Sequence, residues 1–451
     1  MNNKEQFKRI INLLASTVIV TMFTLAFSEV WNNSYNEVME DPFWKNGNIL
    51  LVAIYAVMYI FIGSFFGAFH LGYYTELSLI GSQVIGTLST NTMAFVMISL
   101  IGRGRLSVKP MLALTGFEFC ILALWVYVFS ALFAKLYPPR RMIVVYGNKN
   151  AVELIKKMGK RGDKYVICEA VSCEESYEEI TSRIDEYDAV IINDIPHSLR
   201  SEILKYCLEK SIRVYINPKI SDIIIRGADD FNMFDTPLLL NRNSGLKFEQ
   251  KLMKRCLDLI LSIIGLVIAL PFMIITAIAI KAYDGGPILY RQKRLTIGGR
   301  KFYVYKFRSM IVNAEKKSGA VLAKENDSRI TPVGKLIRKI RFDELPQLLN
   351  ILMGDMSFVG PRPERPEIAK KYMETMPEFS YRLKTKAGLT GYAQVMGKYN
   401  TTPYDKLKMD LMYIERQSLL LDLRIILMTV KTVFTPSATE GVDAEKTKKK
   451  K

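Results

Sequence analysis

Four long apolar runs occupy the first 134 residues: Ile10 to Ser28, Ile49 to Phe69, Leu77 to Ile101 and Met111 to Ala134, each broken by at most one charge. A helix that crosses a bilayer needs about 20 apolar residues, so this stretch predicts four transmembrane helices. A cleavable signal peptide competes for the first run, but no small-residue cleavage pattern follows Phe27 and three more spans do. Lys4, Lys8 and Arg9 before the first span, and Lys135, Arg140 and Arg141 after the fourth, put both ends in the cytoplasm by the positive-inside rule. Two loops run against it. Arg103, Arg105 and Lys109 would be external, and the loop from His70 to Leu77, on the cytoplasmic side, is short of basic residues.

A fifth run, Leu259 to Ile280, is uncharged, yet its flanks are basic at both ends: Lys251, Lys254 and Arg255 before, Lys281 after. Pro271 sits near its middle, where the missing amide and the ring clash kink a helix. These features predict a re-entrant helix over 255–281 that enters one leaflet and returns to the same face. A plain span with a tolerated Pro is the alternative, and it would put everything downstream outside the cell.

Between Arg140 and Leu246 short apolar runs (Met142 to Tyr146, Tyr165 to Val171, Ala189 to Asn193, Ile212 to Ile216) alternate with polar helical segments. This βαβα pattern predicts a parallel, doubly wound sheet, a Rossmann-like module. After its first strand comes Gly147-Asn148-Lys149-Asn150-Ala151-Val152, with one of the three glycines that let backbone approach a pyrophosphate, so the usual dinucleotide site is disfavoured.

Charge separates the regions. Residues 1–139 carry 8 basic and 7 acidic side chains, 140–248 carry 17 and 17, and 249–451 carry 37 and 20. The excess of the last region suits a polyanionic partner: nucleic acid, an anionic membrane surface or a phosphorylated small molecule. A solvated basic face with the Lys448 to Lys451 tail is the plainer reading. With only His70 and His197, histidine relays and His-rich zinc sites are poor bets, and five Cys without a C-x-x-C suggest reduced thiols. Chemistry here must rest on carboxylates, Lys, Arg or hydroxyls.

Two stretches stand out. Phe302-Tyr303-Val304-Tyr305-Lys306-Phe307-Arg308 interleaves aromatic and basic residues, a pattern that could stack bases. No nucleic-acid fold motif accompanies it, and a phosphorylated ligand beside a membrane explains it with fewer assumptions. In Arg338-Lys339-Ile340-Arg341-Phe342-Asp343-Glu344-Leu345-Pro346-Gln347-Leu348-Leu349 the leucines repeat at helical spacing, and Pro346 is tolerable only in a first turn. Asp343 and Glu344 are therefore expected at a helix N-terminus, where an acid is commonly a cap. Free amides flanked by Arg338 and Arg341 would equally attract phosphate. A carboxylate poised against a phosphate can act as a nucleophile, provided cations, and a divalent ion among them, separate the two anions. Arg362, held between Pro361 and Pro363, is a candidate phosphate clamp. Asp410 lies on a helix among apolar neighbours, where a charge often pairs structurally.

Together these elements resemble a known family. Lys254-Arg255 with Asp258, Pro271, Arg291-Gln292-x-Arg294, Tyr305-Lys306-Phe307-Arg308-Ser309-Met310, Asp343-Glu344-Leu345-Pro346-Gln347-Leu348, Gly354-Asp355-Met356-Ser357, Pro361-Arg362-Pro363 and Gly388-Leu389-Thr390-Gly391 make residues 250–434 similar to the sugar transferase domain of monotopic phosphoglycosyl transferases. The whole order resembles the large polyprenyl glycosylphosphotransferases of bacterial capsule, exopolysaccharide and O-antigen synthesis. The resemblance implies a membrane α-helical bundle (1–139), an α/β Rossmann-like cytoplasmic domain (140–248), an α-rich monotopic catalytic domain with its re-entrant hairpin (249–436) and a basic flexible tail (437–451). It implies a Mg2+-dependent transfer of sugar 1-phosphate from a UDP-sugar to undecaprenyl phosphate, releasing UMP through a covalent phosphosugar on Asp343. Glu344 would assist as base or, with Asp343, hold the metal; Lys306, Arg338, Arg362, Asp410 and Arg294 would bind substrate. The setting would be the cytoplasmic face of the bacterial inner membrane, with the bilayer as partner, a homo-oligomer left open and no nucleic acid. The competing class is a non-catalytic membrane-anchored sensor or scaffold, which leaves the Asp-Glu and Pro-Arg-Pro arrangement unexplained.

Overall fold

The computed structural model describes residues 7–102, 106–148, 151–241, 245–312, 314, 327–397 and 401–433; Lys4, Arg103, Arg105, Lys149, Asn150 and the tail at 437–451 lie outside them. The chain divides into two compact units, Met1–Pro218 and Lys219–Lys451.

The first unit opens with α1 (Lys8–Val30), α2 (Lys45–Phe66), α3 (Glu76–Ile101) and α4 (Lys109–Leu136), all long and apolar enough to cross a membrane. They pack as a bundle in which α1 meets α2 and α4, and α3 meets the same two. Aromatic side chains fill its centre: Phe23, Phe27, Trp31, Tyr55 and Tyr59 are all buried, with Phe27 stacked on Tyr55. Its one buried acid, among the described residues, is Glu118, which accepts from Asn91 Nδ2 (2.6 Å) and the Tyr55 hydroxyl (2.7 Å). A buried carboxylate needs such donors to remain in an apolar bundle.

The sheet follows: β1 (Arg140–Tyr146), α5 (Ala151–Gly159), β2 (Tyr165–Ser172), α6 (Tyr177–Ile184), β3 (Ala189–Asn193), α7 (His197–Glu209) and β4 (Arg213–Asn217). The strands are parallel in the order β2-β1-β3-β4. β1 and β3 are central and read as nearly continuous Val and Ile because helices cover both their faces. Gly147, at the end of β1, lies against the Asp194 carbonyl so closely that a Cβ would fall 2.1 Å from that oxygen. This glycine serves chain packing. The loop before α3, poor in its own cations, receives two from the sheet: Arg161 and Lys164 both donate to the Tyr73 carbonyl, at 3.1 and 2.7 Å.

The second unit begins with α8 (Ile220–Arg226) and the hairpin β5 (Asp229–Met233) and β6 (Thr236–Leu240), then α9 (Phe248–Asp284), the fifth helix long and apolar enough to span a membrane. Pro271 lies inside α9, which is a single α-helix of 37 residues. One face of α9 is packed along its length. Lys254 and Asp258 near its start, Ala269 in the middle and Ile280 near its end are buried, while Ile260, Ile263, Ile264, Val267, Ile274 and Ile275 are exposed.

Next come β7 (Leu289–Leu295) and β8 (Lys301–Phe307), an antiparallel pair. Arg291 faces Tyr305 and Lys293 faces Tyr303 across this ladder, with each cation over the opposing ring at 5.2 and 5.8 Å. The aromatic and basic interleaving thus forms cross-strand cation–π pairs. α10 (Pro332–Lys339), α11 (Gln347–Met353), β9 (Ser357–Val359), α12 (Pro366–Thr375), β10 (Gly388–Thr390), α13 (Tyr392–Met396), α14 (Pro403–Glu415) and α15 (Leu419–Val433) complete the unit.

Candidate active site

The Asp343-Glu344 pair is not on the helix that follows it. Phe342–Glu344 form a 3₁₀ turn, Pro346 is the N-cap, and α11 starts at Gln347. The expected free amides are engaged instead: Glu344 N donates to the Arg341 carbonyl and Leu345 N to that of Phe342. Arg341 enters the turn at φ 61°, a left-handed conformation uncommon for a residue with a Cβ. Pro346 offers no amide to cap, which removes the usual reason for an acid three residues before it.

Three elements hold the turn in place. Buried Asn350 on α11 accepts from Tyr305 N (3.0 Å) and donates to the Tyr303 carbonyl (2.8 Å), fixing β8 against α11. This brings Lys306 over the turn, where Nζ donates to Glu344 Oε1 at 2.8 Å. Arg362 reaches the same oxygen through Nη2 at 2.7 Å, and Arg341 lies 3.7 Å from Oε2. Glu344 is therefore the hub of three cations, its side chain only 12% exposed.

Arg362 owes its position to the strands beyond. Gly360 N donates to the Thr390 carbonyl and Gly388 N to that of Pro361, so Gly360-Pro361 lies directly on Gly388-Leu389-Thr390-Gly391. A Cβ on Gly388 would stand 2.1 Å from Gly360 N, and one on Gly391 would stand 2.2 Å from the Gly360 carbonyl oxygen. Only glycine permits this approach. Arg382 Nη2 donates to the Arg362 carbonyl (2.9 Å) and also meets Asp410 Oδ2 (2.8 Å), while Arg294 Nη1 donates to the Pro363 carbonyl (3.0 Å). Val359, just upstream, accepts from Lys254 Nζ and the Tyr413 hydroxyl, both at 3.1 Å.

Asp343, in contrast, accepts no hydrogen bond among the described residues, although Lys306, Arg338 and Arg362 all act on its charge. The two neighbouring acids are driven in opposite directions. Burial lifts the Asp343 carboxyl above its ordinary range, opposed by Lys306 and reinforced by the negative Glu344. Burial would lift Glu344 too, but Arg362, Lys306 and Arg341 together hold it well below the usual carboxylate range. Lys306 is pushed down by burial despite Glu344. Burial pushes Asp410 up to about 6 against the pull of Arg382, and takes Arg294 down to about 10, helped by Arg362.

The structure thus brings Asp343, Glu344, Lys306, Arg338 and Arg362 together. Asp410 and Arg294 act one shell out, on the backbone that carries Arg362. Sequence reasoning missed Arg382, whose turn (Pro377–Lys384) carries no local signal. It also missed Lys406, whose ammonium is pushed down by burial and feels Arg362, Arg382 and Asp410. Its spacing four residues before Asp410 on α14 put both on one face and was readable.

No group of three or more His, Cys, Asp or Glu able to hold a metal occurs among the described residues. Mg2+ commonly binds one or two carboxylates and completes its shell with phosphates and water. The free Asp343 carboxylate fits that role; Glu344 would have to release a cation to join it.

Residues 249–436 match the bacterial sugar transferase family. The chain is 36% identical to an Aeromonas hydrophila UDP-N-acetylgalactosamine-undecaprenyl-phosphate N-acetylgalactosaminephosphotransferase, over 55% of this chain and 59% of that one. It is also 36% identical to a Xanthomonas campestris pv. campestris UDP-glucose:undecaprenyl-phosphate glucose-1-phosphate transferase, over 49% of this chain and 48% of that one. A Caulobacter vibrioides protein of the same description is 39% identical over 41% of this chain and 70% of its own length. The chain thus covers less than two thirds of the first two relatives.

Proposed function

The chain belongs to the bacterial sugar transferases, among the polyprenyl-phosphate glycosylphosphotransferases, and from that premise we propose that it transfers a sugar 1-phosphate from a UDP-sugar to undecaprenyl phosphate. The products would be undecaprenyl-diphosphate-sugar and UMP, as the first membrane step of surface polysaccharide synthesis. The observation that carries this reading is the unpaired Asp343 carboxylate beside Lys306, Arg338 and Arg362.

In the first step an Asp343 oxygen attacks the sugar-bearing phosphorus; the bond to the bridging oxygen breaks, and UMP leaves with that oxygen and its electron pair. In the second, an oxygen of the lipid phosphate attacks the same phosphorus and the Asp343 carboxylate departs. A carboxylate whose proton affinity is raised by burial is the better nucleophile once ionised, and the cations offset the repulsion between two anions. Glu344, saturated by cations, suits a positioning role better than that of a base: it orients Lys306 and Arg362. Mg2+ belongs to this reading, held by Asp343 and substrate phosphates, and would neutralise diphosphate charge. The relatives' different sugars leave the donor sugar open.

The membrane arrangement is part of the proposal. Lys254 pairs with Asp422 at one end of α9 and Asp284 with Arg308 at the other, all within one unit. From Lys254 to Asp284 a straight helix runs about 45 Å, more than the roughly 30 Å hydrocarbon core. A helix spanning that core would hold its two ends on opposite faces, whereas here both are tied to one domain. This supports a monotopic α9, with its exposed isoleucines in lipid and the site on the cytoplasmic face of the inner membrane. The parallel sheet is read as a Rossmann-like module of the cytoplasmic region.

The test is UMP release from a panel of UDP-sugars by the detergent-purified chain with Mg2+ and undecaprenyl phosphate, beside Asp343→Asn. Release that depends on one sugar and vanishes in the variant is expected, with a phosphosugar adduct on Asp343 by mass spectrometry. Well-folded protein that releases no UMP from any of them overturns the reading.

A further inference from the structure

A row of side chains on β7 runs beside the catalytic turn. In the β7–β8 ladder Tyr290 pairs with Lys306, Gln292 with Val304 and Arg294 with Phe302. Residues paired across an antiparallel ladder project to the same face, about 5 Å apart at Cβ. Tyr290, Gln292 and Arg294 therefore share the face from which Lys306 reaches Glu344, and Arg291, Lys293, Tyr303 and Tyr305 take the other.

The row is hydrogen-bonded from end to end. Arg294 Nη1 is anchored on the Pro363 carbonyl (3.0 Å), next to Arg362, and its Nη2 donates to Gln292 Oε1 at 2.6 Å. That bond fixes which way the amide points, and Gln292 Nε2 donates to the Tyr290 hydroxyl at 3.2 Å. Gln292 and Arg294 are half-buried, whereas Tyr290 is 40% exposed. The row thus begins at the Arg362 turn and ends, across from Lys306, on a ring steered by its hydroxyl and open to solvent over part of its surface. Lys306 and Arg362, the two cations it links, meet on one oxygen of Glu344.

The ladder holds five aromatic residues. Phe302 and Phe307 are buried, and Tyr303 and Tyr305 lie under Lys293 and Arg291 on the opposite face, at 5.8 and 5.2 Å. Tyr290 alone combines exposure with the Lys306 side. A nucleotide asks for cations at its phosphates and a flat apolar surface at its base, and an aromatic ring beside phosphate-binding cations offers both.

We propose that Tyr290 stacks on the uracil of the donor nucleotide, with Gln292 and Arg294 as positioning residues that hold its ring. This rests on the sugar-nucleotide donor of the reading above and names the group that takes its base. Stacking reads the flat ring, so the contact supplies affinity for the nucleotide and not the choice among sugars.

The full-length detergent-purified chain with Mg2+ is titrated by calorimetry with UMP and with inorganic diphosphate, which has the phosphates without a base. Neither ligand requires turnover or a particular sugar. Tyr290→Leu is expected to weaken UMP about tenfold and leave diphosphate unchanged, whereas Tyr290→Phe, which keeps the ring, stays within about twofold of wild type. Gln292→Leu should weaken UMP in the wild-type background and have no further effect on Tyr290→Phe, which has no hydroxyl to steer. Wild-type UMP affinity in Tyr290→Leu overturns the inference and leaves the donor reading standing. Equal loss of UMP and diphosphate in that variant also overturns it, making the ring a support of the fold. A wild-type chain that binds diphosphate but not UMP removes the nucleotide donor itself, and the stack with it.

Discussion

Replacing Lys254 by Met tests whether α9 fixes the catalytic turn. Lys254 Nζ lies 2.5 Å from Asp422 Oδ2, and their side chains are 10% and 3% exposed. Removing one partner of a buried pair leaves an uncompensated charge and costs roughly 3–5 kcal/mol. Here Tyr413 still donates to Asp422 Oδ1 at 2.7 Å, which argues for the lower end, about 3 kcal/mol. In a unit of this size that lowers the midpoint by about 6–12 °C. The assay is thermal unfolding of detergent-purified Lys254→Met, Asp422→Leu and the double variant. Because the double variant buries no lone charge, it should lose clearly less than the sum of the singles. The deficit of Lys254→Met should also shrink in acid. Burial already raises Asp422, and without Lys254 its folded pKa rises further above the unfolded value; the folded state then binds the proton more tightly and gains stability as pH falls through that value. Since Lys254 also holds the Val359 carbonyl, three residues before Arg362, kcat/KM should fall tenfold or more. Additive losses in the cycle, or unchanged activity, would refute the coupling of α9 to the site.

Glu344→Gln removes the charge that helps raise Asp343, so the acid limb of the kcat/KM profile should move to lower pH while kcat drops, as Lys306 and Arg362 lose their shared acceptor; an unmoved limb counts against Asp343 as the titrating group. Asp410, at about 6, binds its proton more tightly folded than unfolded, so its contribution to stability falls as pH rises between about 4 and 6. Asp410→Asn should flatten that slope in pH-dependent melting, and an unchanged slope rejects the assignment. Gly388→Ala pushes a methyl into the Gly360 amide and should reduce UMP release more than a hundredfold if the Arg362 turn shifts by about 1 Å; near-normal turnover would mean the turn is free to relax.

Elements were readable where periodicity is strong. All four N-terminal helices and the four strands of the parallel sheet fall within a few residues of their apolar runs, because a bilayer and a two-sided core both demand uninterrupted hydrophobicity. The loop before α3 carries little basic signal of its own, and the cations that meet it, Arg161 and Lys164, lie about 90 residues away in sequence. The helix start at 347 was missed because leucine spacing cannot distinguish a 3₁₀ turn from a first α-turn. Lys306, Arg338 and Arg362 were recognisable as cations near a motif, but that two of them share one Glu344 oxygen is a tertiary fact. Arg382 had no sequence signal at all: its importance arises from the Arg362 carbonyl and the Asp410 carboxylate that the fold brings to it.

The order of the two acids follows from this geometry. Glu344 is one methylene longer than Asp343, and that reach lets Oε1 sit between Lys306 and Arg362 while Oε2 faces Arg341. The shorter Asp343 makes no ion pair with these three, feels the field of Lys306, Arg338 and Arg362 without being neutralised by contact, and accepts no hydrogen bond among the described residues. A pair of adjacent acids in a cationic pocket would ordinarily have cations to share. Committing one acid wholly to the cations is what leaves the other free to meet a phosphate. The left-handed Arg341 sharpens the separation, because it starts the turn that sets the two side chains on different partners. Pairs of titratable groups whose environments drive them apart are how a site divides roles between chemically similar residues. Here the division is between a carboxylate that organises cations and one that they leave uncontacted, the one to which the proposed reaction gives the role of nucleophile.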